Sequence, residues 1–397
     1  MTPTHSNTTA QPKFKILLCD DSSLIRKLIK HSLLQAGRFE IVAEASNGKE
    51  AIALLADHTP DCIVMDIEMP IMDGVDAVRH IRKLNHSVPI LMFSTLTGTG
   101  SEATLDALAA GASDYAMKPQ AKGHVDDAFE ALKKDFVPKL IALASRHKRV
   151  QSQVLAQSNT KKAENGMENG KKTTTATPSA PRQEGSIGEN ETAHRFNGRV
   201  DAVAIGVSTG GPQALQRILS ELPSNLEAPV LITQHMPESF IEALACRLDE
   251  YSPLNVKRVS HGEALEAGTV YIAAGNANLE VSMKAGTAFA SLKNSTPENS
   301  CLPAVDPMFR TAAKCFGSNL LAIVLTGMGK DGLEGAKVVK ENGGYLLVQD
   351  EATSVVWGMP GSCDEAGLPN RVLPIDEIGN EIGRLCMMNR SVASAAM

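Results

Sequence analysis

The 397-residue chain is poor in aromatic residues: Phe, Trp and Tyr make up 4% of it, with a single Trp. A sequence this short of flat side chains offers no stacking platform for single-stranded nucleic acid. It has no excess of positive charge either. Against 45 Asp and Glu stand 39 Lys and Arg, a formal net charge of −6, so no nucleic-acid partner is expected. The seven cysteines, at 19, 62, 246, 301, 315, 363 and 386, fall singly, with no C-x-x-C pair. That spacing predicts neither a zinc site nor a disulfide framework, and the ten histidines form no ligand-spaced cluster. A reducing, cytoplasmic compartment is the simplest expectation. Long apolar runs are missing too, so no membrane insertion is expected. The polar start MTPTHSNTTAQPKF lacks the apolar centre of a secretion signal.

What is present is a 43% hydrophobic chain, long enough for two domains. One segment interrupts it: from Gln157 to Glu191 the only large apolar residues are Met167 and Ile187. Such a stretch cannot bury enough surface to offset its ordering entropy, so residues 149–197 read as a flexible linker. Before it, apolar runs such as KILLCDD (15–21), EIVAEASN (40–47), DCIVMD (61–66), PILMFS (89–94) and DYAMKP (114–119) alternate with helical patterns. This predicts a doubly wound, flavodoxin-like α/β domain over 13–140. After it, DAVAIGVS (201–208), APVLITQH (228–235), NLLAIVLTGMG (319–329) and GGYLLVQD (343–350) predict a second parallel-sheet domain, Rossmann-like, over 199–388. The short runs TVYIAAG, NLEVSM and AFASL between Val256 and Leu292 read as an antiparallel hairpin insertion.

In an open parallel sheet the carboxyl ends of the strands converge on one crevice. Asp20 and Asp21 end the first strand, Asp66 the third and Ser94 the fourth, and Lys118 follows the fifth. Three carboxylates repel unless a cation sits among them, and Mg²⁺ with oxygen ligands suits such a set. A carboxylate attacking phosphorus, with cations neutralising the phosphoryl oxygens, fits the combination. Taken singly, each Asp reads equally well as a solvated turn residue or helix cap.

With DIEMPIMDG after Asp66 and the Lys118-Pro119 pair, residues 13–140 resemble a two-component receiver domain. The resemblance implies that Asp66 accepts phosphate from a histidine kinase. It implies that Asp20, Asp21, Asp66 and the backbone carbonyl of Glu68 hold Mg²⁺. Ser94 and Lys118 would then contact the phosphoryl group, and Tyr115 would be the switch aromatic.

In the second domain Ser208 and His235 each end an apolar strand, and LAIVLTGMGKDG carries Asp331 in a Gly-rich turn after its strand. Serine, imidazole and carboxylate are the nucleophile, base and orienting acid of acyl transfer. Gly206, Gly210 and Gly211 allow a tight, open turn, and G-V-S-T-G fits the nucleophile elbow G-x-S-x-G. A Gly/Ser/Thr turn before a helix also suits phosphate binding. Asp306 in AVDPMF and Asp350 in LLVQDEATS compete with Asp331 for the acid. The rival functions are therefore a phosphate-binding module and a receiver-coupled transcription factor, although no helix-turn-helix pattern follows the linker.

The runs GVSTGGPQAL, ITQHMP, YIAAG, VLTGMGKDG and QDEATSVVWGMP resemble the catalytic domain of the chemotaxis protein-glutamate methylesterases. The resemblance implies Ser208 as nucleophile, His235 as base and Asp331 as acid, with Thr209 and Met328 lining an oxyanion site. It implies a phosphorylation-activated serine hydrolase that releases methanol from γ-glutamyl methyl esters of methyl-accepting chemoreceptors and deamidates receptor glutamines. No cofactor is expected in the esterase domain, and a monomer is expected. Leu302 and Ala304 stand where the family commonly has the Arg and Ser of an Arg-Pro-Ser-Val-Asp run, so the loop that meets substrate differs here.

Overall fold

The computed structural model describes residues 13–84, 87–95, 97–119, 125–165 and 199–388. The first part runs β1 (Phe14–Cys19), α1 (Ser23–Ala36), β2 (Phe39–Ala45), α2 (Gly48–Leu54), β3 (Cys62–Asp66), α3 (Gly74–Lys83), β4 (Ile90–Ser94), α4 (Gly98–Ala109), β5 (Asp114–Met117), α5 (Val125–Ala131) and α6 (Val137–Asn165). Its strands form one parallel sheet in the order β2-β1-β3-β4-β5. β3 and β4 are buried along their whole length, as expected of strands covered by helices on both faces. The helices begin at side-chain caps. Ser22, Asn47, Asp73 and Thr97 each accept a hydrogen bond from a backbone N–H of the first turn of α1, α2, α3 and α4.

The second part runs β6 (Ala202–Val207), α7 (Gly211–Leu219), β7 (Val230–Gln234), α8 (Glu238–Tyr251), β8 (Asn255–Arg258), β9 (Thr269–Ile272), β10 (Asn278–Lys284), β11 (Thr287–Lys293), α9 (Val305–Phe316), β12 (Leu320–Val324), α10 (Leu333–Glu341), β13 (Tyr345–Gln349), α11 (Met359–Glu365), β14 (Arg371–Leu373) and α12 (Ile375–Met387). Seven parallel strands lie in the order β14-β13-β12-β6-β7-β9-β8. Two buried apolar clusters cover the two faces of this sheet. The two-sheet α/β architecture expected from the apolar runs is present.

The hairpin is smaller than expected. Among the described strands only β10 and β11 pair antiparallel, whereas β9 (TVYI) and β8 join the main sheet in parallel beside β7. All four residues of β9 are buried, and a short apolar run carries no periodicity that tells a central strand from a hairpin arm. Helix α6 runs to Asn165, into the segment expected as linker; its continuation to residue 197 lies outside the described residues. No described helix is long and apolar enough to cross a membrane.

The two parts touch through α4 and β5 of the first and α7 and α8 of the second. Tyr115 stacks on Phe240, ring centroids 5.0 Å apart and planes 20° apart. Gln213 Nε2 donates to the Ala112 carbonyl at 2.5 Å, and Arg247 pairs with Asp106. On the other side Arg146 of α6 donates to the Ala352 carbonyl at 3.2 Å, and Arg149 pairs with Glu351.

Candidate active site

Ser208 follows the last residue of β6, the central strand between β12 and β7. Its backbone N–H donates to Thr326 O beyond β12 at 3.0 Å, and its carbonyl accepts from Gly211 N at 2.8 Å and from Gln234 Nε2 at 3.0 Å. Gly210 takes φ 76° at the cap of α7, a left-handed turn that a residue with a Cβ adopts only under strain. Gly327 faces the serine: a Cβ built there would lie 2.8 Å from Ser208 Cβ, too close for any larger residue. The serine is therefore half-buried in a turn closed by small residues.

His235 follows β7, and its N–H donates to Val207 O at 3.1 Å, which sets it beside the serine turn. Its Nε2 lies 2.7 Å from Asp331 Oδ2. That oxygen also accepts from Val305 N at 2.7 Å. Asp331 Oδ1 accepts from Gly332 N at 3.0 Å, Asn299 Nδ2 at 3.1 Å and Asp306 N at 3.3 Å. Burial, the largest single influence, works against the Asp331 carboxylate, but the bonds from His235, Val305 and Asn299 outweigh it and hold the group below its ordinary range. Burial likewise disfavours the His235 imidazolium, but Asp331 and the Cys301 sulfur beside the ring raise it to about 9.

Of the competing carboxylates, Asp350 caps its own turn, accepting from Thr353 N at 3.0 Å and Thr353 Oγ1 at 2.5 Å. Asp306, fully buried, accepts from Gly335 N at 2.6 Å and Asn299 Nδ2 at 2.8 Å. Asp331 is thus the carboxylate that meets His235. Among the described residues no hydrogen bond joins Ser208 Oγ to His235, a contact that commonly tightens only with substrate in place. The backbone N–H groups of Thr209 and Met328 have no acceptor among the described residues. Thr209 is buried and Met328 half-buried. Ala304 is fully buried behind the site, its N–H on Asn278 Oδ1 at 2.8 Å, and Leu302 is half-buried.

Residue-type reasoning passed over Gln234, Thr326, Asn299 and Cys301. Gln234 and Thr326 carried a signal, being polar residues at the ends of buried strands. Asn299 and Cys301 lie in an irregular loop with no pattern.

The second crevice lies at the carboxyl ends of the first sheet. Lys118 Nζ sits 2.7 Å from Asp66 Oδ1 and 3.0 Å from Asp20 Oδ2. Asp66 Oδ1 also accepts from Ile67 N at 2.7 Å. Burial pushes the Asp66 carboxyl above its ordinary value, against the opposing pull of Lys118. Asp20, Asp21 and Asp66 bring carboxylate oxygens within 4.8 Å of one another, an all-oxygen set that fits Mg²⁺. Ser94 Oγ accepts from Thr104 Oγ1 at 2.7 Å. Asp21, Asp66, Glu68, Ser94 and Lys118 line one cleft of about 300 Å³. Tyr115 is apart from this cleft, buried against Phe240.

Residues 16–130 match the response regulator receiver domain family, and residues 203–382 match the CheB methylesterase family. A protein-glutamate methylesterase/protein-glutamine glutaminase of Nocardioides sp. is 43% identical across 94% of this chain and 95% of its own length. One from Trichodesmium erythraeum is 37% identical across 94% of this chain and 99% of its own. The crystal structure of the Thermotoga maritima CheB methylesterase catalytic domain is 43% identical, covering 47% of this chain and 98% of that one with a TM-score of 0.46.

Proposed function

This chain belongs to the protein-glutamate methylesterase/protein-glutamine glutaminase family, and we propose that Ser208, His235 and Asp331 carry that chemistry in it. The activity is phosphorylation-activated hydrolysis of γ-glutamyl methyl esters on chemoreceptors, with deamidation of receptor glutamines, in chemotaxis. The observation that supports this choice of residues is the 2.7 Å contact between His235 Nε2 and Asp331 Oδ2 beside the Ser208 turn.

With Nε2 held by Asp331, Nδ1 is the nitrogen left to take the Ser208 proton. Ser208 Oγ attacks the ester carbonyl, and the oxyanion settles against the N–H groups of Thr209 and Met328. The intermediate expels the methoxy oxygen, which takes the proton from His235 and leaves as methanol. Water, deprotonated by the same imidazole, then displaces the acyl group as a glutamate, and the imidazolium returns the proton to Ser208 Oγ. Deamidation follows the same path with ammonia leaving. General-base help supplies about 10²–10⁴-fold, and one oxyanion donor about 10²–10³-fold.

In the receiver domain, Asp66 is the phosphate acceptor, supplied by a chemotaxis histidine kinase. Asp20, Asp21, Asp66 and the Glu68 carbonyl hold the Mg²⁺ that neutralises the phosphoryl oxygens, with Lys118 and Ser94 completing the shell and Tyr115 reporting the switch. α7 begins three residues after Ser208 and α8 three after His235, and both rest on the receiver, so docking restrains the esterase and phosphorylation relieves it. The enzyme works as a monomer in the cytoplasm.

The test is incubation with methyl-labelled chemoreceptor membranes, with and without acetyl phosphate and Mg²⁺. Methanol release that rises with the phosphodonor is expected; a chain that leaves every methyl group in place under both conditions overturns the reading.

A further inference from the structure

His235, Cys301 and Asp331 each bring a ligand atom within 4.8 Å of the other two. We propose that this nitrogen, sulfur and oxygen set is a zinc site, and that Zn²⁺ bound there switches the esterase off.

The cysteine is aimed by construction. Glu298 and Cys301 exchange both backbone hydrogen bonds, Glu298 N to Cys301 O at 3.1 Å and Cys301 N to Glu298 O at 2.8 Å. The two residues between them, Asn299 and Ser300, take φ 53° and 63°, the left-handed pair of a two-residue turn. Arg310 grips the Glu298 carboxylate with both terminal nitrogens, at 2.6 and 2.7 Å. Asn299 Nδ2 ties the turn to Asp331 and Asp306. A strained turn anchored at both ends thus delivers the half-buried Cys301 to a catalytic imidazole.

The donor types select the ion. A thiolate, an imidazole and a carboxylate suit zinc, and three protein ligands leave its fourth position open. An ion seated among them replaces the 2.7 Å His235–Asp331 hydrogen bond with bonds of about 2.0–2.2 Å to nitrogen and oxygen and about 2.3 Å to sulfur. The backbone and Asn299 bonds to Asp331 supply the outer contacts that orient such a ligand. The receiver crevice, with oxygen donors alone, belongs to harder ions. On binding, the Cys301 thiol loses its proton to solvent. A neutral imidazole has one nitrogen lone pair, so an ion seated on it leaves none for the serine proton, whichever nitrogen it occupies. The inhibition rests on the reading of His235 as base; the binding does not.

The full-length protein, with Mg²⁺ saturating the receiver, is titrated with Co²⁺ as a spectroscopic stand-in and with Zn²⁺ in the methanol-release assay. Co²⁺ is expected to give thiolate-to-metal absorption that Zn²⁺ abolishes, retained in Cys246→Ser and lost in Cys301→Ser. Relative to each variant's own zinc-free rate, Cys301→Ser is expected to raise the half-inhibiting Zn²⁺ concentration at least about tenfold, since even outer contacts of a metal ligand are worth that much. A chelator is expected to restore activity. Absence of the thiolate band in the wild type, or the same band in Cys301→Ser, overturns the site. A band without inhibition overturns the switch and leaves the ion bound.

Discussion

Asp66, at the end of β3, and Asp331, beyond β12, are both nearly inaccessible carboxylates, and their environments push them in opposite directions. Asp66 is lifted to about 6, because burial outweighs Lys118 and the backbone N–H of Ile67. Asp331 is lowered despite its burial, because five donors, from three loops and the first turn of α9, surround its two oxygens. The first is an underneutralised site, open to a cation and a phosphoryl group. The second is satisfied beforehand, so its charge is spent on orienting one imidazole. Burial alone does not set the chemistry of a buried carboxylate; the number of donors aimed at it does.

The comparison breaks most visibly if the esterase crevice is not a single unit. Ser208→Ala and His235→Ala are each expected to cut methanol release by about 10⁶, and the double variant to be hardly worse, as for groups that act together. Asp331→Asn is expected to cost about 10⁴ by presenting the wrong tautomer. Asp350→Asn, whose side chain bonds Thr353 of its own turn, is expected to stay near wild type; an inactive Asp350→Asn would move the acid elsewhere.

On the receiver side, Asp66→Asn is expected to take up no label from acetyl phosphate and to lose all phosphodonor-dependent activation while keeping the basal rate. Labelling of that variant would place the acceptor at Asp20 or Asp21.

The pH profile sharpens the contrast. The base must be neutral, and His235 is raised to about 9. With chelator present, kcat/KM is therefore expected to climb about tenfold per pH unit from 7 and to level off near 9. Cys301→Ser removes one of the groups that favour the imidazolium, so its limb is expected at lower pH. A flat profile between 7 and 9 would show that the imidazole is already neutral.

The smallest effect lies between the two regions. Arg247 and Asp106 form a partly exposed pair across the contact, and such pairs contribute about 0–1 kcal/mol. Asp106→Ala is expected to raise the unphosphorylated rate by no more than about fivefold and to leave the phosphorylated rate alone. A matching rise in both states would mean that the pair acts on the esterase rather than on docking.

Much of this was legible one strand at a time. Apolar runs alternating with helical patterns specify two parallel sheets, because a strand covered on both faces must be apolar throughout. Polar residues that interrupt such runs, Asp20, Asp66, Ser94, Ser208 and His235, mark the carboxyl edge, where ligands meet an open sheet. What a run of four apolar residues could not reveal was whether β9 lies in the hairpin or beside β7, since buried strands of either kind look alike. Local sequence also left three carboxylates equally able to face His235, and seven scattered cysteines that argued against any zinc site. Tertiary structure separated them. Asp331 meets the imidazole, Asp350 turns back on Thr353, and the Glu298–Cys301 turn carries a sulfur to a histidine 66 positions earlier in the chain. Spacing rules see only ligands that share a helix or a turn. Which loop folds over a sheet edge is decided by long-range packing, and no periodicity encodes it.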